Sequence, residues 1–205
     1  MTTFSIKNHR LLRDDKEVEF VQSPNGGDPL NPTYLIIHYT AGTTASGAIN
    51  WFKNPEAKAS AHLVVDRDGS VAQMMPFHKV AWHAGKSALN GIVGFNRHSI
   101  GIEIVNAGKL QRNGSGKWVN WAGNVIDDDD VIIARHKNET SETGWHAYTE
   151  RQINTVVDIG VALRQKFNFL DVLGHEDIAP TRKVDPGPAF PLLSVQSKIL
   201  GRDDS

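Results

Sequence analysis

The sequence predicts an α/β fold in a single domain. The chain has 205 residues, which is enough for one domain with a substantial core and too few for a second full domain. Short apolar runs rich in β-forming residues alternate with segments of helical periodicity, without internal repeats. The composition, with 40% hydrophobic and 22% charged residues, is that of an ordinary globular protein.

The first third of the chain predicts an arm, a buried strand and a short helix. Residues 1–30 hold short alternating segments that end in a turn cluster, so we expect an N-terminal arm or hairpin. Residues 34–37 form an apolar run that favours a buried strand, and His38 lies at its carboxyl end. Open α/β sheets bind ligands beyond that end of their strands. Residues 46–52 follow with helical spacing.

The middle of the chain predicts a hairpin and another strand. Residues 62–65 and 71–74 flank a turn that contains glycine, which indicates a β-hairpin. Residues 100–105 alternate so that three isoleucines share one face and Glu103 points to the other. An unpaired buried carboxylate is costly, so Glu103 is either a functional group or a residue on a solvent-facing side.

Residues 107–147 are the least regular part of the chain and predict a loop-rich insertion with one short strand at 131–133. We interpret the acidic run at 127–130 as a solvated loop, because the regular spacing of a calcium-binding loop is absent. His136 and His146 are predicted to lie at the surface.

The last third predicts a long amphipathic helix, a strand and a functional loop. Thr149 and Gln152 match a capping box, and apolar residues continue at helical spacing to about residue 167. A strand at 169–173 leads into residues 174–188, where three prolines frame a histidine, a lysine and an aspartate. Because proline restricts the backbone, we expect this loop to hold its polar groups convergent.

The composition excludes several chemistries. The chain has no cysteine, so a metal must be bound by His, Asp or Glu, and a cysteine nucleophile is excluded. The net charge of −1 gives no field that favours nucleic acid or anionic membranes.

We find no secretion signal and no apolar run of membrane-spanning length, so we expect a cytoplasmic protein or one released without a signal peptide.

His38, His175 and Asp185 are candidate ligands of one metal ion. Two imidazoles and a carboxylate suit Zn²⁺, and three protein ligands leave a fourth position for water. Each residue also has a plainer interpretation, either as a hydrogen-bonded structural histidine or as an aspartate in a turn before proline. The spacing leaves both interpretations open, and no His-Glu-x-x-His motif is present.

Glu103 and Lys183 supply the remaining chemistry of a metal-assisted hydrolase. Glu103 is a candidate general base that takes a proton from water and returns it to a leaving amine. Lys183, two residues before Asp185, is a candidate to stabilise an oxyanion, or else a surface lysine. Together with the candidate ligands, these residues predict hydrolysis of an amide or ester.

Several blocks of the sequence resemble the type 2 N-acetylmuramoyl-L-alanine amidases, in order from about residue 23 to residue 190. The matching blocks are IIHYTA at 36–41, SAH at 60–62, DRDG at 66–69, AWHAG at 81–85, SIGIE at 99–103, GHEDIAP at 174–180, RK at 182–183 and DPGPAF at 185–190. Thr181 departs from the family, which usually has glycine there, so we expect the loop to be less able to adopt a positive φ at this point.

The resemblance implies a peptidoglycan-recognition-protein-like fold, in which helices flank a mixed central β-sheet. Within it, residues 1–30 would form an N-terminal arm and residues 31–192 the zinc amidase catalytic domain. That domain would include the loop-rich insertion at 107–147. Residues 193–205 would form a C-terminal tail.

The resemblance also implies the roles of five residues. Zinc would be bound by His38, His175 and Asp185. Glu103 would act as the acid/base residue, and Lys183 would stabilise the tetrahedral intermediate. The bond cleaved would join the lactyl group of N-acetylmuramic acid to L-alanine of the stem peptide.

Further residues are candidate substrate contacts. Tyr39 follows a candidate ligand and is expected to line the cleft. Trp82 and His83 match a family block. We interpret them first as packing residues or as partners that orient a ligand imidazole, and second as substrate contacts. Arg67 and Arg97 are candidates to bind a carboxylate of the stem peptide.

The favoured hypothesis is a zinc-dependent amidase, monomeric by default, that acts on peptidoglycan or its muropeptide fragments. The alternative is a non-catalytic peptidoglycan-binding module of the same fold. Such a module can lack a metal ligand or a catalytic residue, and this chain has all five, which favours the enzyme. Recycling of anhydro-muropeptides and lysis of intact wall both stay open.

Overall fold

A six-stranded mixed β-sheet forms the centre of the fold in the computed structural model, which describes residues 3–202. The strands are β1 (Phe4–Lys7), β2 (Arg10–Arg13), β3 (Lys16–Glu17), β4 (Glu19–Phe20), β5 (Gly26–Pro29), β6 (Tyr34–Tyr39), β7 (Leu63–Val65), β8 (Val71–Gln73), β9 (Lys79–Ala81), β10 (Ala88–Leu89), β11 (Ile92–Val93), β12 (Ser99–Ile104), β13 (Gln111–Arg112), β14 (Trp118–Val119), β15 (Val131–Arg135), β16 (Glu142–His146) and β17 (Asp171–Gly174). The α-helices are α1 (Ala45–Lys53), α2 (Glu150–Lys166), α3 (His175–Ile178) and α4 (Leu192–Leu200). Short 3₁₀ helices lie at Pro55–Ala57, Phe95–Arg97 and Asp128–Asp130.

The central sheet brings three parallel strands to one edge. Its strand order is β17-β6-β12-β7-β8-β4, and β6 pairs in parallel with both β12 and β17. The register places Glu103 beside His38, and Gly174 beside Ile37. The antiparallel pairing of β7 with β8 makes the sheet mixed. The predicted α/β fold with a mixed sheet and flanking helices is confirmed.

Because side chains alternate along the strands, one face of the sheet is apolar and the other carries His38 and Glu103. Ile100, Ile102 and Ile104 of β12 join the main hydrophobic core, which also contains residues of α2 and α4. His38 and Glu103 point to the opposite face and line a cleft there. The sequence-based assignment of Glu103 to the face opposite the isoleucines is therefore confirmed.

The long helix begins and ends close to its predicted bounds. The Thr149 hydroxyl accepts a hydrogen bond from the Gln152 backbone N–H, and the Gln152 side chain accepts one from the Thr149 N–H, which completes the capping box. Thr149 also donates to the Arg67 carbonyl at 2.8 Å. Thr149 thereby caps the first turn of α2 and also connects the start of the helix to the loop after β7.

Two segments without clear hydrophobic periodicity contain more secondary structure than the sequence predicted. Residues 107–147 contain two hairpins, β13–β14 and β15–β16, because cross-strand pairs compensate for the polar and glycine residues in them. The prediction that His136 and His146 lie at the surface is wrong, since both side chains are buried. Residues 193–200 of the expected tail lie in α4, whose Ile199 packs onto Gly160 of α2, and residues 203–205 lie outside the described part of the chain.

Within residues 3–202, no helix is long and apolar enough to cross a bilayer.

Replacing Thr149 by alanine is expected to lower the free energy of unfolding by about 1–2 kcal/mol, because the N-cap acceptor is lost. Urea unfolding followed by circular dichroism measures the change. Thr149→Ser retains the hydroxyl and is the matched control, with a loss of less than about 0.5 kcal/mol expected. Equal losses in the two variants would show that the hydroxyl is not what stabilises this end of α2.

Candidate metal centre

Three side chains meet at the carboxyl edge of β6 and β17. His38 is the last residue but one of β6, His175 begins α3 directly after β17, and Asp185 lies on the loop that follows α3. The Nδ1 atoms of the two histidines lie 3.0 Å apart, and each lies 3.0 Å from Oδ2 of Asp185. All three residues are buried. The structure thus brings together the three residues that the sequence suggested as ligands.

A chain of hydrogen bonds determines which nitrogen of His38 carries a proton. The Ser99 hydroxyl donates to the Phe95 carbonyl at 2.6 Å, which leaves its oxygen to accept from Nε2 of His83 at 3.3 Å. His83 Nδ1 is then an acceptor for His38 Nε2–H at 2.9 Å. Burial, followed by repulsion from His175, lowers the pKa of His38 to about 4. His38 is therefore neutral, and its Nδ1 carries a lone pair.

The second histidine is oriented by a backbone carbonyl. His175 Nε2 donates to the Ala84 carbonyl at 3.1 Å, and in the tautomer that this bond selects, Nδ1 carries a lone pair. Arg182 supports the same loop, since its guanidinium donates to the carbonyls of Ala84 and Lys86 at 2.9 and 2.8 Å. Sequence inspection missed this function of Arg182, because its partners lie almost a hundred residues away.

The three converging atoms are all acceptors and therefore fit a cation. Two imidazole lone pairs and a carboxylate oxygen repel one another at 3.0 Å unless a positive charge lies between them. Two nitrogens and one oxygen form a donor set typical of catalytic zinc, with fewer protein ligands than its full coordination. The partner of each imidazole's other nitrogen is already in place, as is usual for metal-binding histidines.

Glu103 lies beside this cluster as a buried carboxyl group without a complete set of partners. Its Oε2 atom is buried and has no hydrogen-bond partner among residues 3–202. Burial and then the charge of Asp185 raise its pKa well above the usual range, against a smaller opposite effect of Lys183. An unsatisfied buried carboxyl group is costly, so its presence next to a candidate metal centre indicates function.

The cluster opens into a cleft of about 430 Å³. Lys183, Tyr39 and Trp82 line it together with the candidate ligands and Glu103. The structure thus places the candidate oxyanion-stabilising lysine and two of the suggested substrate contacts on the same walls.

Arg67 and Arg97 do not line this cleft. The Arg67 guanidinium donates to the Ala147 carbonyl at 2.6 Å and also lies 3.4 Å from the Gln152 side chain, so it supports the start of α2. Arg97 is exposed at the end of a 3₁₀ helix. The structure therefore gives neither arginine a place on the walls of this cleft.

Glu176 anchors the loop that carries the ligands. Its backbone N–H donates to the Asp185 carbonyl at 2.9 Å, and its carboxylate accepts from the Gly187 N–H at 3.1 Å. The same carboxylate accepts from Nε2 of buried His136 at 2.7 Å and pairs with Lys137 at 2.9 Å. The insertion thus supports the ligand loop. Thr181 in that loop is exposed and does not have a positive φ, so glycine is not required there.

Gly101 makes room for the His83 ring. A Cβ atom at this position of β12 would overlap the imidazole of His83. The ring lies on the strand backbone as a result, and from there it reaches His38. A glycine in the middle of a strand weakens it, and here the close approach of the ring explains the residue.

The fold and the site define an α/β protein with a candidate mononuclear metal centre beside a buried carboxyl group. The model of the type 2 family, described as N-acetylmuramoyl-L-alanine amidase, matches residues 28–188. The chain belongs to this family.

Relatives and a solved structure agree with this assignment. The chain is 33% identical to the 1,6-anhydro-N-acetylmuramyl-L-alanine amidase AmpD of Escherichia coli K12, over 80% of each protein. It is 33% identical to N-acetylmuramoyl-L-alanine amidase A of Achromobacter lyticus, over 87% of this chain and 90% of that protein. A crystal structure of a selenomethionine AmpD superimposes with a TM-score of 0.60 at 25% identity, covering 87% of this chain and 94% of the other.

Replacing Gly101 by alanine is expected to displace His83 from His38, because the added methyl group occupies the place of the ring. We expect the affinity for zinc to fall about 10- to 100-fold, the range typical for loss of a partner to a metal-binding histidine. Competition with a chelating dye measures the affinity. Gly114→Ala is the control, since a Cβ there meets nothing within 4 Å. Unchanged zinc affinity in Gly101→Ala would show that His83 does not orient His38.

Proposed function

We propose that this chain is a zinc-dependent amidase that hydrolyses the bond between the lactyl group of N-acetylmuramic acid and L-alanine of the stem peptide. The observation that carries the proposal is the convergence of two imidazole lone pairs and a carboxylate oxygen beside the unpartnered carboxyl group of Glu103. A non-catalytic binding module would need neither the cluster of buried acceptor atoms nor the unpartnered carboxyl group, both of which destabilise the folded state. Residues 31–192 are the proposed catalytic domain.

His38, His175 and Asp185 would hold the zinc ion. When bound, zinc acts as a Lewis acid towards the scissile carbonyl and lowers the pKa of water at the site to about 7. The hydrogen bonds from His38 to His83 and from His175 to Ala84 keep both rings in the orientation that this binding needs.

Glu103 is the proposed acid/base residue. Its side chain lines the cleft, and its raised pKa suits a group that accepts a proton from the attacking water and later returns it to the leaving amine. Because Oε2 has no partner in the described part of the chain, it is available to hydrogen-bond to water or substrate. The returned proton makes the L-alanine amine a neutral leaving group.

Lys183 is the proposed stabiliser of the negative charge that develops on the carbonyl oxygen. It lines the same cleft and lies close enough to Glu103 and His38 to lower the pKa of both. A fixed positive charge in a cleft that excludes water stabilises a developing oxyanion more than it does in bulk water. Tyr39 and Trp82 are the proposed contacts to the rest of the substrate.

The names of two relatives support the substrate class. One is a 1,6-anhydro-N-acetylmuramyl-L-alanine amidase and the other an N-acetylmuramoyl-L-alanine amidase. Both names specify the muramoyl–L-alanine bond and differ in the form of the sugar. We therefore propose muramoyl peptides as substrates, either as soluble fragments or within the wall.

Replacing Glu103 by glutamine is expected to reduce kcat by about 10²- to 10⁴-fold, because the amide cannot exchange the proton. Zinc content should stay the same, since Glu103 is not a proposed ligand. Glu142→Gln, on the exposed start of β16, is the matched control and should retain full activity. Asp185→Ala should instead lose zinc and activity together. Full zinc and full activity in Asp185→Ala would disprove the ligand assignment.

Incubation with intact sacculi and, separately, with anhydro-muropeptides tests the reaction itself. We expect mass spectrometry to detect free stem peptides that begin with L-alanine, and we expect chelation to abolish their release and added zinc to restore it. Zinc-loaded protein that cleaves neither substrate would contradict the proposal.

A further inference from the structure

A second cavity of about 310 Å³ continues the candidate active-site cleft. The two share the lining residues Thr40, Trp51 and Phe52, so they adjoin each other. Trp121 also lines the second cavity and comes from residues 107–147. The cavity therefore lies between α1 and the insertion.

Exposed indole rings line this continuous groove. Trp51 and Trp121 flank the second cavity with exposures of 56% and 77%, and Trp82, 40% exposed, lines the first. Three of the five tryptophans of the chain thus present their rings to one groove. Large apolar side chains gathered in one exposed groove mark a binding surface.

Trp121 is held in a defined orientation although it is exposed. Its indole N–H donates to the Ala41 carbonyl at 2.8 Å, on the loop that follows β6. The N–H group is therefore satisfied by the protein, and the faces of the ring stay available to a ligand. A ring that is ordered before binding loses little conformational entropy on binding.

The chemistry of the cavity favours a neutral ligand with apolar faces and a polar edge. Among the described residues, its lining contains no charged side chain and includes Thr40, Thr43 and Thr44 beside the indoles. The cations Arg182 and Lys183 line only the first cleft. A pyranose ring has C–H groups on its faces and hydroxyl groups at its edge. The sugars of the wall glycan are uncharged when the lactyl carboxyl group is in amide linkage, whereas stem peptides carry carboxylates.

We propose that this cavity, the tryptophan subsite, binds an N-acetylated sugar next to the muramoyl residue whose peptide is cleaved. The proposal rests on the proposed amidase function, because it places the muramoyl residue in the adjoining cleft. It follows that the chain prefers stem peptides on a glycan of several sugars to those on a single sugar. The stem peptide then lies towards Arg182 and Lys183.

The test compares a muramoyl peptide on a tetrasaccharide with one on a single anhydro-sugar. Trp121→Ala is expected to reduce kcat/KM about tenfold for the first and less than twofold for the second, because only the first fills the subsite. Trp121→Phe should retain most of the preference, because it keeps a ring face. Trp121→Gln should lose it although it keeps a hydrogen-bond donor for Ala41. Leu193→Ala, an exposed apolar residue that lines neither cavity, is the control.

Binding of chitotriose, followed by tryptophan fluorescence, separates this proposal from the proposed function. We expect binding to the wild type and about tenfold weaker binding to Trp121→Ala. If the wild type binds chitotriose through Trp121 but cleaves no muramoyl peptide, the amidase function fails and the subsite stands. Equal losses on both substrates, no loss on either, or chitotriose binding that is independent of Trp121 would overturn the subsite.

Discussion

Mutual repulsion of three acceptor atoms is the constraint on which the rest of this structure depends. Nδ1 of His38, Nδ1 of His175 and a carboxylate oxygen of Asp185 meet at 3.0 Å in a buried place, where water cannot screen them. The parallel strands β6 and β17 end side by side and deliver the two histidines to that point. A cation between these atoms would remove the repulsion, so the sheet holds the candidate ligands in a place where a metal ion would fit.

The residues around the cluster determine how its side chains are oriented more than where they lie. His83 directs one ring, the Ala84 carbonyl directs the other, and Glu176 ties the loop of Asp185 back to α3. Each of these groups is itself held, His83 by Ser99 and Glu176 by His136. Two successive sets of hydrogen-bonded groups therefore support the candidate ligands, and both sets include residues from distant parts of the chain.

Local patterns predicted the parts of the fold that depend on local physics. Alternation along β12 placed Glu103 opposite the isoleucines, and the capping box at Thr149 predicted where α2 begins. The ligand triad needed the family resemblance as well, because spacing alone does not show which strand ends are neighbours. Arg67 was expected in the cleft but supports α2, and His136 was expected at the surface but is buried against Glu176. Both outcomes depend on hydrogen bonds between residues far apart in the sequence, which hydrophobic periodicity does not predict.

The bond between His136 and Glu176 has a consequence for how this protein can be altered. Residues 107–147 look like a module that can be exchanged, since they form their own hairpins and contribute Trp121 to the rim of the groove. The same segment donates the proton that satisfies the buried carboxylate behind the ligand loop. A graft that replaces the whole insertion removes this support together with the old rim, so a successful chimera must keep β15 through His136 and exchange only the loops before it.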